Sequence, residues 1–343
     1  MLIQSRENVK VVIDGKATDM RALWFEDGKL KMIDQRLLPF EIRVISLSHC
    51  NEVAEAIKNM AIRGAPSIGA AAAYGLALAV IDKEDISNAA NLLRKTRPTA
   101  YDLFYAIDYM VRSIQDGRDP VEAANSYANA IVERCRLIGK HGCELIRDGY
   151  RVMTHCNAGA LASVDIGTAL APIRFAHTQS KHFFVYVSET RPRLQGMRLT
   201  SWELQNEGIP HAVIVDGASG HYMKKDVDVV IVGADRIASN GDFANKIGTY
   251  EKAVIAHELD IPFFVAAPIS TFDFNLNNGD EIPIELRSEE EVIAIENVRI
   301  APRGVMALNP SFDITPGKYV TGFITEIGIL RPSELGEIAK IRS

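Results

Sequence analysis

The spacing of apolar residues predicts short strands in roughly the first 50 residues of the chain. Lys10–Ile13 and Ala22–Phe25 are short apolar runs typical of strands, and Asp14-Gly15-Lys16 lies between them. A second Asp-Gly pair, Asp27-Gly28, precedes an alternating run, Lys29–Asp34. Asp-Gly between alternating runs is typical of a tight hairpin turn. We therefore predict a small β-structure at the start of the chain.

From about residue 51 to residue 148 the apolar residues recur at helical spacing instead. Ala54, Ile57 and Ala61, for example, fall on one face of a predicted helix. A long helix of about residues 121–147 is predicted to lead into the second half of the chain. The middle of the chain is therefore expected to be helical.

Beyond Gly149, short β-branched and aromatic runs alternate with helical segments. The candidate strands are Arg151–His155, Phe183–Val187, Ala212–Val215, Val229–Val232, Phe263–Ala266 and a region near Tyr319–Ile324. The helical segments between them include Leu194–Glu207 and Lys246–His257. This alternation is typical of a parallel, doubly wound sheet. The predicted fold class is therefore α/β.

A turn signal in the middle of the chain predicts a boundary between two domains. Residues 115–120 read Gln-Asp-Gly-Arg-Asp-Pro, a composition that interrupts helices. The chain has 343 residues, enough for about two domains of typical size. We place the seam near residues 115–125, between a smaller N-terminal β-plus-helical domain, residues 1–120, and a C-terminal sheet domain, residues 121–343.

Composition and charge exclude several classes of protein. Apolar residues make up 47% of the chain and charged residues 24%, which is typical of a globular protein and not of a disordered one. The 38 Lys and Arg residues are outnumbered by 44 Asp and Glu residues, so no basic excess is available to bind nucleic acid. A small anionic ligand remains compatible with the net charge of −6, since a few basic residues can line one cleft.

Neither a membrane span nor a secretion signal is predicted. Gly64–Ile81 carries no charge over 18 residues, yet it contains Pro66 and many small residues. A buried, close-packed helix is therefore favoured over a membrane span. The first residues of the chain lack the apolar core of a signal peptide.

The cysteines indicate a reducing compartment. Only four are present, Cys50, Cys135, Cys143 and Cys156, which is too few for a disulfide scaffold in a chain of this length. Their spacing does not match a structural zinc site. We expect a cytoplasmic protein with free thiols and no metal.

The carboxyl ends of the predicted strands bring reactive residue types to one edge of the sheet, where ligands bind in open α/β folds. The segments that follow the strands are His155–Gly159, Ser188–Pro192, Asp216-Gly217, Gly233–Arg236 and Ala267-Pro268. They favour an enzyme; the alternative is that they are the polar residues found at any strand end. The chain has no G-x-G-x-x-G fingerprint and no Walker A loop, which disfavours nicotinamide, flavin and P-loop chemistry.

The segment Arg63–Gly69 predicts an anion site at the start of a helix. Its proline suits the first helical turn, which places Gly64 and Ala65 just before the helix N-terminus. Backbone N–H groups there, with Arg63 beside them, are suited to a phosphate. Arg97 is a second candidate phosphate ligand. The alternative interpretations are a tight turn into a buried helix and an ordinary surface arginine.

Seven motifs along the chain form a recognisable series. They are Arg63–Gly69, Thr96–Ala100, Thr154–Leu161, Glu189–Gly196, Val232–Ile237, Ala244–Tyr250 and Asn309–Pro316. In this order they resemble the methylthioribose-1-phosphate isomerases, and the resemblance extends from Trp24 to about Pro332. The same superfamily holds ribose-1,5-bisphosphate isomerases and regulatory subunits of a translation-initiation exchange factor.

The resemblance implies a C-terminal Rossmann-like domain behind a smaller N-terminal domain, and a homodimer. It implies conversion of a phosphorylated sugar, an aldose 1-phosphate, to the ketose 1-phosphate without metal or organic cofactor. By motif, it implies that Cys156 and Asp235 are the catalytic pair. The residues that it implies for substrate binding are Arg63, Gly64, Ala65, Arg97, Gln195, Asn245 and Lys246.

The chemistry of such a reaction suits this pair. An aldose with phosphate on its anomeric carbon must open its ring before it isomerises, and ring opening needs an acid. In an apolar setting Asp235 would have a raised pKa and could supply that proton. A protonated Cys156 thiol could either exchange a proton at C2 or stabilise a hydride shift, and the sequence leaves both routes open.

Each of these residues also has a structural interpretation. Cys156 could be a buried structural thiol and Asp235 the N-cap of a following helix. Asn245 and Lys246 could be first-turn residues of a helix. His155 is expected to be a packed neighbour, since its side chain should point opposite to that of Cys156.

Three departures from the family pattern leave the substrate open. Ser188 and Asp102 stand where the family usually has Asp and Asn, and Asp216-Gly217-Ala218 replaces the commoner Asp-Asn. A 5-methylthio, 5-deoxy or 5-phospho sugar is therefore compatible with the sequence. The alternatives to a methylthioribose-1-phosphate isomerase are a ribose-1,5-bisphosphate or 5-deoxyribose 1-phosphate isomerase, and a non-catalytic regulatory subunit of the exchange factor.

Overall fold

Strands, then a run of helices, then alternating strands and helices follow one another in the computed structural model, which describes residues 9–13, 16–97, 100–296 and 298–336. The α-helices are α1 (Cys50–Lys58), α2 (Ala65–Ile81), α3 (Ile86–Arg94), α4 (Tyr101–Gln115), α5 (Pro120–Gly142), α6 (Leu170–Thr178), α7 (Ser201–Asn206), α8 (Ser219–Asp226), α9 (Thr249–Glu258) and α10 (Glu290–Ile293). The strands are β1 (Val9–Ile13), β2 (Lys16–Met20), β3 (Leu23–Glu26), β4 (Lys29–Ile33), β5 (Val44–Leu47), β6 (Arg151–His155), β7 (Phe184–Ser188), β8 (His211–Ile214), β9 (Val229–Val232), β10 (Arg236–Ala238), β11 (Phe243–Lys246), β12 (Phe263–Ala266), β13 (Phe272–Asp273), β14 (Ala294–Ile295), β15 (Val298–Arg299), β16 (Phe312–Thr315), β17 (Gly322–Thr325) and β18 (Gly328–Leu330).

A seven-stranded sheet in the order β18-β17-β12-β9-β6-β7-β8 organises the second half of the chain. Neighbouring strands are parallel, except that the edge strand β18 is antiparallel to β17. Every residue of β9 and β12 is buried, as expected for strands that are covered on both faces. The predicted α/β fold class is confirmed, and the predicted bounds of β6, β9 and β12 are those observed.

The start of the chain forms antiparallel strands, as its alternating pattern predicts. β3, β4 and β5 make a three-stranded sheet, and Asp27 and Gly28 form the turn between β3 and β4. Both turn residues have positive φ, 54° and 73°, which is the geometry that Asp-Gly favours in two-residue hairpins. β1 pairs with β2, a strand that the sequence pattern misses, and the predicted turn at Asp14-Gly15 lies outside the described residues.

Helix α2 is the buried, small-residue helix that the sequence predicts. Its residues are buried from Ala65 to Ala79, and it packs against α1, α4 and α5. The small residues allow this close approach, since a Cβ on Gly69 would lie 2.9 Å from the Asp102 carbonyl oxygen. Among the described residues no helix is long and apolar enough to cross a membrane.

A second, small sheet lies where the sequence pattern predicts the start of a helix. β13, β10, β11 and β16 form this sheet, and β11 is antiparallel to both β10 and β16. Lys246 is the last residue of β11 and the helix begins only at Thr249, so the predicted helix Lys246–His257 starts three residues too early. Pairing with distant strands decides the conformation here over local propensity.

The same sheet rules out two of the structural alternatives. Asp235 is followed by strand β10 and therefore does not cap a helix. Asn245 and Lys246 lie on β11 and are not first-turn residues of a helix. The predicted helix Leu194–Glu207 is confirmed in its extent, because a π-helical stretch at Gly196–Thr200 runs directly into α7.

One buried apolar cluster crosses the predicted domain seam. It runs from Leu23 through α2 and α5 to Ile324 in the central sheet. Helix α5 begins at Pro120, near the predicted seam, and packs against both α2 and α6. The division into residues 1–120 and 121–343 stays a prediction.

Candidate active site

The central sheet reverses its strand order between β6 and β9. β7 and β8 follow β6 on one side, and β12 and β17 extend from β9 on the other. In open α/β sheets the crevice outside the carboxyl ends of such a strand pair is where ligands bind. Cys156 directly follows β6, and Asp235 follows β9 after Gly233 and Ala234.

A cavity at this crevice gathers the site residues predicted from the sequence. The predicted residues that line it are Arg63, Gly64, Ala65, Arg97, Cys156, Gln195, Asp235, Asn245 and Lys246. They come from the N-terminus of α2, from the segment between α3 and α4, from loops after β6, β7 and β9, and from β11. All of the predicted site residues are therefore brought together, although they are spread over more than 180 positions of the chain.

The N-terminus of α2 forms one wall of the cavity. Gly64 is its N-cap residue, with φ +90°, and no side chain caps the helix there. A Cβ at Gly64 would lie 2.5 Å from Ala162, so only glycine fits this position. The first backbone N–H groups of α2 and its dipole are suited to an anion, as the sequence predicts.

Arg63 is held beside this helix end by Asn157. Its Nη1 and Nη2 atoms donate to the Asn157 carbonyl oxygen at 3.1 and 2.8 Å. Asn157 is held in turn by the buried Glu203, whose Oε1 accepts from Asn157 Nδ2 at 2.8 Å. Glu203 also pairs with Arg174 at 2.8 Å, so its charge is compensated. A buried relay therefore orients Arg63 toward the cavity.

Arg97 and Lys246 add two more buried cations. The Nη1 atom of Arg97 has no hydrogen-bond partner in the described part of the chain, and its Nε lies 3.3 Å from Oε2 of Glu285. Nζ of Lys246 donates to the Ser311 carbonyl at 2.7 Å and lies 4.2 Å from the ring centroid of Phe312.

The three cations make the cavity suited to an anion. Burial lowers the pKa of Arg63, of Arg97 and of Lys246, because each charged form loses water. Arg97 lowers the pKa of Arg63 and of Lys246 further by like-charge repulsion. An anionic group bound between the three cations would offset both the loss of water on burial and the repulsion between like charges.

Cys156 differs from the other cysteines in its exposure. It is partly exposed, whereas Cys50, Cys135 and Cys143 are buried. Burial raises the pKa of the Cys156 thiol, and the charges of Arg63 and Lys246 oppose that rise only in part. The thiol therefore stays protonated near neutral pH.

Asp235 is a carboxyl with an unusually high affinity for its proton. Its backbone N–H donates to the Ala244 carbonyl at 2.9 Å, which fixes the loop between β9 and β10. Burial raises the pKa of the carboxyl, against the opposing charges of Lys246, Arg97 and Arg63. Asp235 is therefore suited to donate a proton inside the cavity.

Two amide side chains complete the polar walls. Asn245 is oriented by a hydrogen bond from its Nδ2 to Thr249 Oγ1 at 2.9 Å. Gln195 is 4% exposed, and its Oε1 has no partner among the described residues. Such amide groups can bind sugar hydroxyls, since they both donate and accept hydrogen bonds.

His155 is a packed neutral imidazole. Burial and the nearby Lys252 lower its pKa to about 3, and its Nε2 is 2.8 Å from the Ile247 carbonyl oxygen. It contributes to the cavity wall without a charge at neutral pH.

Two of the residues that depart from the family pattern lie behind the cavity wall and do not line the cavity. Ser188 does not line the cavity; its hydroxyl donates to Asp216, which accepts the backbone N–H of Thr190 at 2.8 Å. Asp102 does not line it either, but its Oδ2 is 3.3 Å from Oγ1 of Thr271, which does. Ser188 and Asp102 therefore contact residues that hold the cavity walls in place.

Several supporting residues are not predicted from the sequence. Asn157, Thr190, Thr200 and Glu203 hold the cavity residues through hydrogen bonds between segments more than 30 positions apart. Asn157 and Thr190 lie inside motifs that the sequence singles out, but only the folded chain shows which atoms they bind.

A wider cleft leads to the cavity. It shares Met60, Arg63 and Gln195 with the cavity, and the segment that begins at α10 forms its opposite side. An ion pair between Arg193 and Glu291, at 2.8 Å, bridges that cleft. The cleft therefore adjoins the cavity that contains Cys156.

Comparison with known families places this geometry in context. The model of the Initiation factor 2 subunit family matches residues 61–332. The methylthioribose-1-phosphate isomerase of Acetivibrio thermocellus is 47% identical over 342 residues, which cover 94% of this chain and 100% of that protein.

Two solved structures are similar over nearly the whole chain. The 5-methylthioribose 1-phosphate isomerase of Pyrococcus horikoshii superposes with a TM-score of 0.84 at 42% identity, over 93% of this chain and 96% of that one. A structure described as translation initiation factor eIF-2B, subunit delta, from A. fulgidus superposes with a TM-score of 0.82 at 43% identity, over 94% of this chain and 100% of that one.

Proposed function

The chain belongs to the Initiation factor 2 subunit family and, within it, to the methylthioribose-1-phosphate isomerases, and we propose that it converts 5-methylthioribose 1-phosphate to 5-methylthioribulose 1-phosphate. This is an aldose–ketose isomerisation in methionine salvage. The observation that carries the proposal is the single cavity that unites Cys156 and Asp235 with a helix N-terminus and three buried cations.

The substrate is held by its phosphate. The N-terminus of α2, Arg63, Arg97 and Lys246 supply N–H groups and positive charge on the walls of the cavity. Gln195 and Asn245 bind the sugar hydroxyls. This arrangement leaves the sugar ring between Cys156 and Asp235.

Asp235 opens the ring. Its carboxyl gives a proton to the ring oxygen as the bond between that oxygen and C1 breaks, and the positive charge at C1 is shared with the ester oxygen. The raised pKa of Asp235 supports this role, because the acid is present near neutral pH in a larger fraction than for an ordinary carboxyl.

A hydride then moves from C2 to C1. The C2 hydroxyl becomes the ketone carbonyl and returns its proton to the Asp235 carboxylate, so that no electrons or protons are gained or lost overall. The raised pKa of Cys156 favours this route over removal of a C2 proton by sulfur, since the thiol is not a base while it holds its proton. The thiol stabilises the charge that moves between the two carbons.

The hydride route predicts an isotope result. Turnover in D2O should yield ketose with essentially no deuterium at C1, because the migrating hydrogen never exchanges with solvent. Proton NMR of the product at early times measures this directly. Product with one deuterium at C1 per turnover would instead assign proton removal and return to an exchangeable group.

The choice of sugar is tested by a substrate panel. We expect kcat/KM for 5-methylthioribose 1-phosphate to exceed that for ribose 1,5-bisphosphate, with 5-deoxyribose 1-phosphate in between. An enzyme that selects an apolar methylthio group is expected to penalise a second phosphate at the same position. Ketose formation followed by NMR gives all three values, and a higher value for the bisphosphate would reassign the substrate.

A non-catalytic regulatory subunit is the second candidate, favoured by the similarity to the A. fulgidus structure described as an initiation-factor subunit. The presence of both Cys156 and Asp235 on the cavity wall argues for the enzyme. The same panel separates the two. Absence of turnover on all three sugars, with a stable complex to initiation-factor subunits, would support the regulatory role.

We also propose that the protein is a cytoplasmic homodimer that binds no nucleic acid and needs no metal or organic cofactor. Exposed apolar residues support contact with a second copy of this chain. Leu286, Met306 and Leu308 are each about 80% exposed, and they lie on one segment of the chain. Light scattering after gel filtration should give about twice the 37.8 kDa of one chain. A mass of one chain would contradict the dimer.

A further inference from the structure

Two threonine hydroxyls bind the two peptide groups on either side of the Cys156 α-carbon. We propose that Thr190 and Thr200 are positioning residues, which hold Cys156 in the backbone conformation that turns its thiol into the cavity. The kinetic part of this proposal rests on the isomerase function proposed above, and the structural part does not.

The backbone of Cys156 is in an uncommon conformation. Its φ is +64°, in the left-handed region that residues with a Cβ rarely adopt. The residue comes directly after β6, so this conformation turns the chain out of the strand. A conformation of this kind persists only where surrounding contacts enforce it.

The contacts that enforce it are two hydrogen bonds to threonine hydroxyls. The Cys156 N–H donates to Thr190 Oγ1 at 2.9 Å, and Thr200 Oγ1 donates to the Cys156 carbonyl oxygen at 2.6 Å. Both threonines are fully buried. Both polar backbone atoms of Cys156 are thus bound to side chains from other segments of the chain.

Thr190 is itself fixed. Its backbone N–H donates to Asp216 Oδ1 at 2.8 Å, and its hydroxyl donates to the Ser188 carbonyl at 2.9 Å. Because that hydroxyl proton is committed to Ser188, the oxygen lone pairs remain to accept the Cys156 N–H. A chain of contacts therefore runs from Asp216 through Thr190 to Cys156.

Thr200 has a second partner that Thr190 lacks. Asn157 Nδ2 donates to Thr200 Oγ1 at 3.1 Å, and Asn157 holds Arg63 through its carbonyl oxygen. Thr190 therefore contacts Cys156 and, at 3.5 Å, Nδ1 of the neutral His155, whereas Thr200 acts on Cys156 and, through Asn157, on a phosphate-binding arginine. The two residues are expected to have different kinetic signatures.

Valine is the informative substitution at both positions, since it keeps the branched shape and removes the hydroxyl. Thr190→Val should lower kcat roughly 10- to 100-fold with KM changed less than about two-fold, because a misplaced reacting group costs rate more than binding. Thr200→Val should lower kcat and also raise KM. Thr190→Ser and Thr200→Ser, which restore the hydroxyl, should recover most of the activity.

The reactivity of the thiol gives a readout that does not depend on turnover. Burial raises the pKa of Cys156, and the charges of Arg63 and Lys246 oppose that rise only in part. If Thr190→Val lets the thiol turn out of this buried site, the pH midpoint for alkylation of Cys156 by iodoacetamide moves downward, toward that of an ordinary thiol. Peptide mass spectrometry identifies the alkylated residue, and the other cysteines are buried.

The outcomes decide the proposal in each case. A folded Thr190→Val with wild-type kcat and an unchanged alkylation midpoint would overturn it, as would a Thr190→Ser as slow as the valine variant. If Thr190→Val does not fold, the kcat values and alkylation midpoints of Thr200→Val and Thr200→Ser decide the proposal instead. If the wild-type protein turns over none of the sugars, the alkylation midpoints alone decide, so failure of the proposed function is distinguishable.

Discussion

Replacing Cys156 with serine is expected to lower kcat at least about 10²-fold, the usual scale for a group that acts in proton transfer or charge stabilisation. Serine keeps the size of the side chain and its contacts through the backbone. Its hydroxyl is a weaker acid than the thiol and less polarisable, so it stabilises the charge at C1 and C2 less well. KM should change little, because the residues proposed to bind the phosphate are other ones.

A matched control separates this effect from loss of any cysteine. Cys143 is 1% exposed and lies outside the cavity. Cys143→Ser should therefore keep kcat near that of the wild-type protein. Steady-state kinetics with purified, folded variants make the comparison, and a Cys156→Ser protein as fast as Cys143→Ser would remove the thiol from the mechanism.

Replacing Asp235 with asparagine is expected to have an effect at least as large, about 10²-fold or more on kcat. The amide has nearly the same shape and keeps hydrogen-bonding capacity, but it cannot give a proton to the ring oxygen. Ring opening then has to proceed without its acid. Binding of the sugar phosphate should persist, since the loop is held by the backbone hydrogen bond to Ala244.

The pH dependence of the wild-type protein follows from the same carboxyl. The active form carries the proton, so kcat/KM should fall as pH rises through the pKa of Asp235. Burial raises that pKa above the ordinary value of 3.8, and the fall should therefore occur at a higher pH than an ordinary carboxyl would give. The residual activity of Asp235→Asn should lack this limb of the pH profile.

Asp165 offers a control with similar electrostatics. Burial raises the pKa of its carboxyl to about 7, but the side chain does not line the cavity. Asp165→Asn should retain the falling limb of the pH profile that Asp235→Asn loses. If Asp165→Asn loses that limb and Asp235→Asn keeps it, the limb reports the titration of Asp165 and our assignment to Asp235 is wrong.

The location of the site could be predicted because it depends on a general property of parallel sheets. β9 and β12 are fully apolar runs whose residues are all buried, and β6 has a buried apolar centre; such runs are recognisable in the sequence. Once these strands are known, the residues at their carboxyl ends must meet at one edge. Cys156 and Asp235 are such residues.

The roles within the site could not be ranked from local pattern alone. Most strands of the sheet are followed by polar residues, and only the resemblance of whole motifs selects Cys156 and Asp235 among them. The phosphate end was equally open, since a glycine before a proline-containing helix start is also explained by a tight turn into a buried helix. The φ of +90° at Gly64 and its contact with Ala162 show why that position needs glycine.

The small sheet was missed because its strands are two to four residues long and pair over large separations. β11 pairs with β16, about 70 positions later in the chain, and its own sequence, Phe-Ala-Asn-Lys, is not typical of either a strand or a helix. The hydrogen bonds of Thr190 and Thr200 escaped prediction for the same reason. Their partner, Cys156, is 34 and 44 positions away.

The central claim, that this cavity isomerises a sugar 1-phosphate with Cys156 and Asp235, is tested most directly by one comparison. The wild-type protein and the double variant Cys156→Ser/Asp235→Asn are each mixed in excess with 5-methylthioribose 1-phosphate, with binding followed by calorimetry and ketose formation by NMR. We predict that both proteins bind the sugar and that only the wild type converts it. Conversion by the double variant at a rate near that of the wild type would contradict the account.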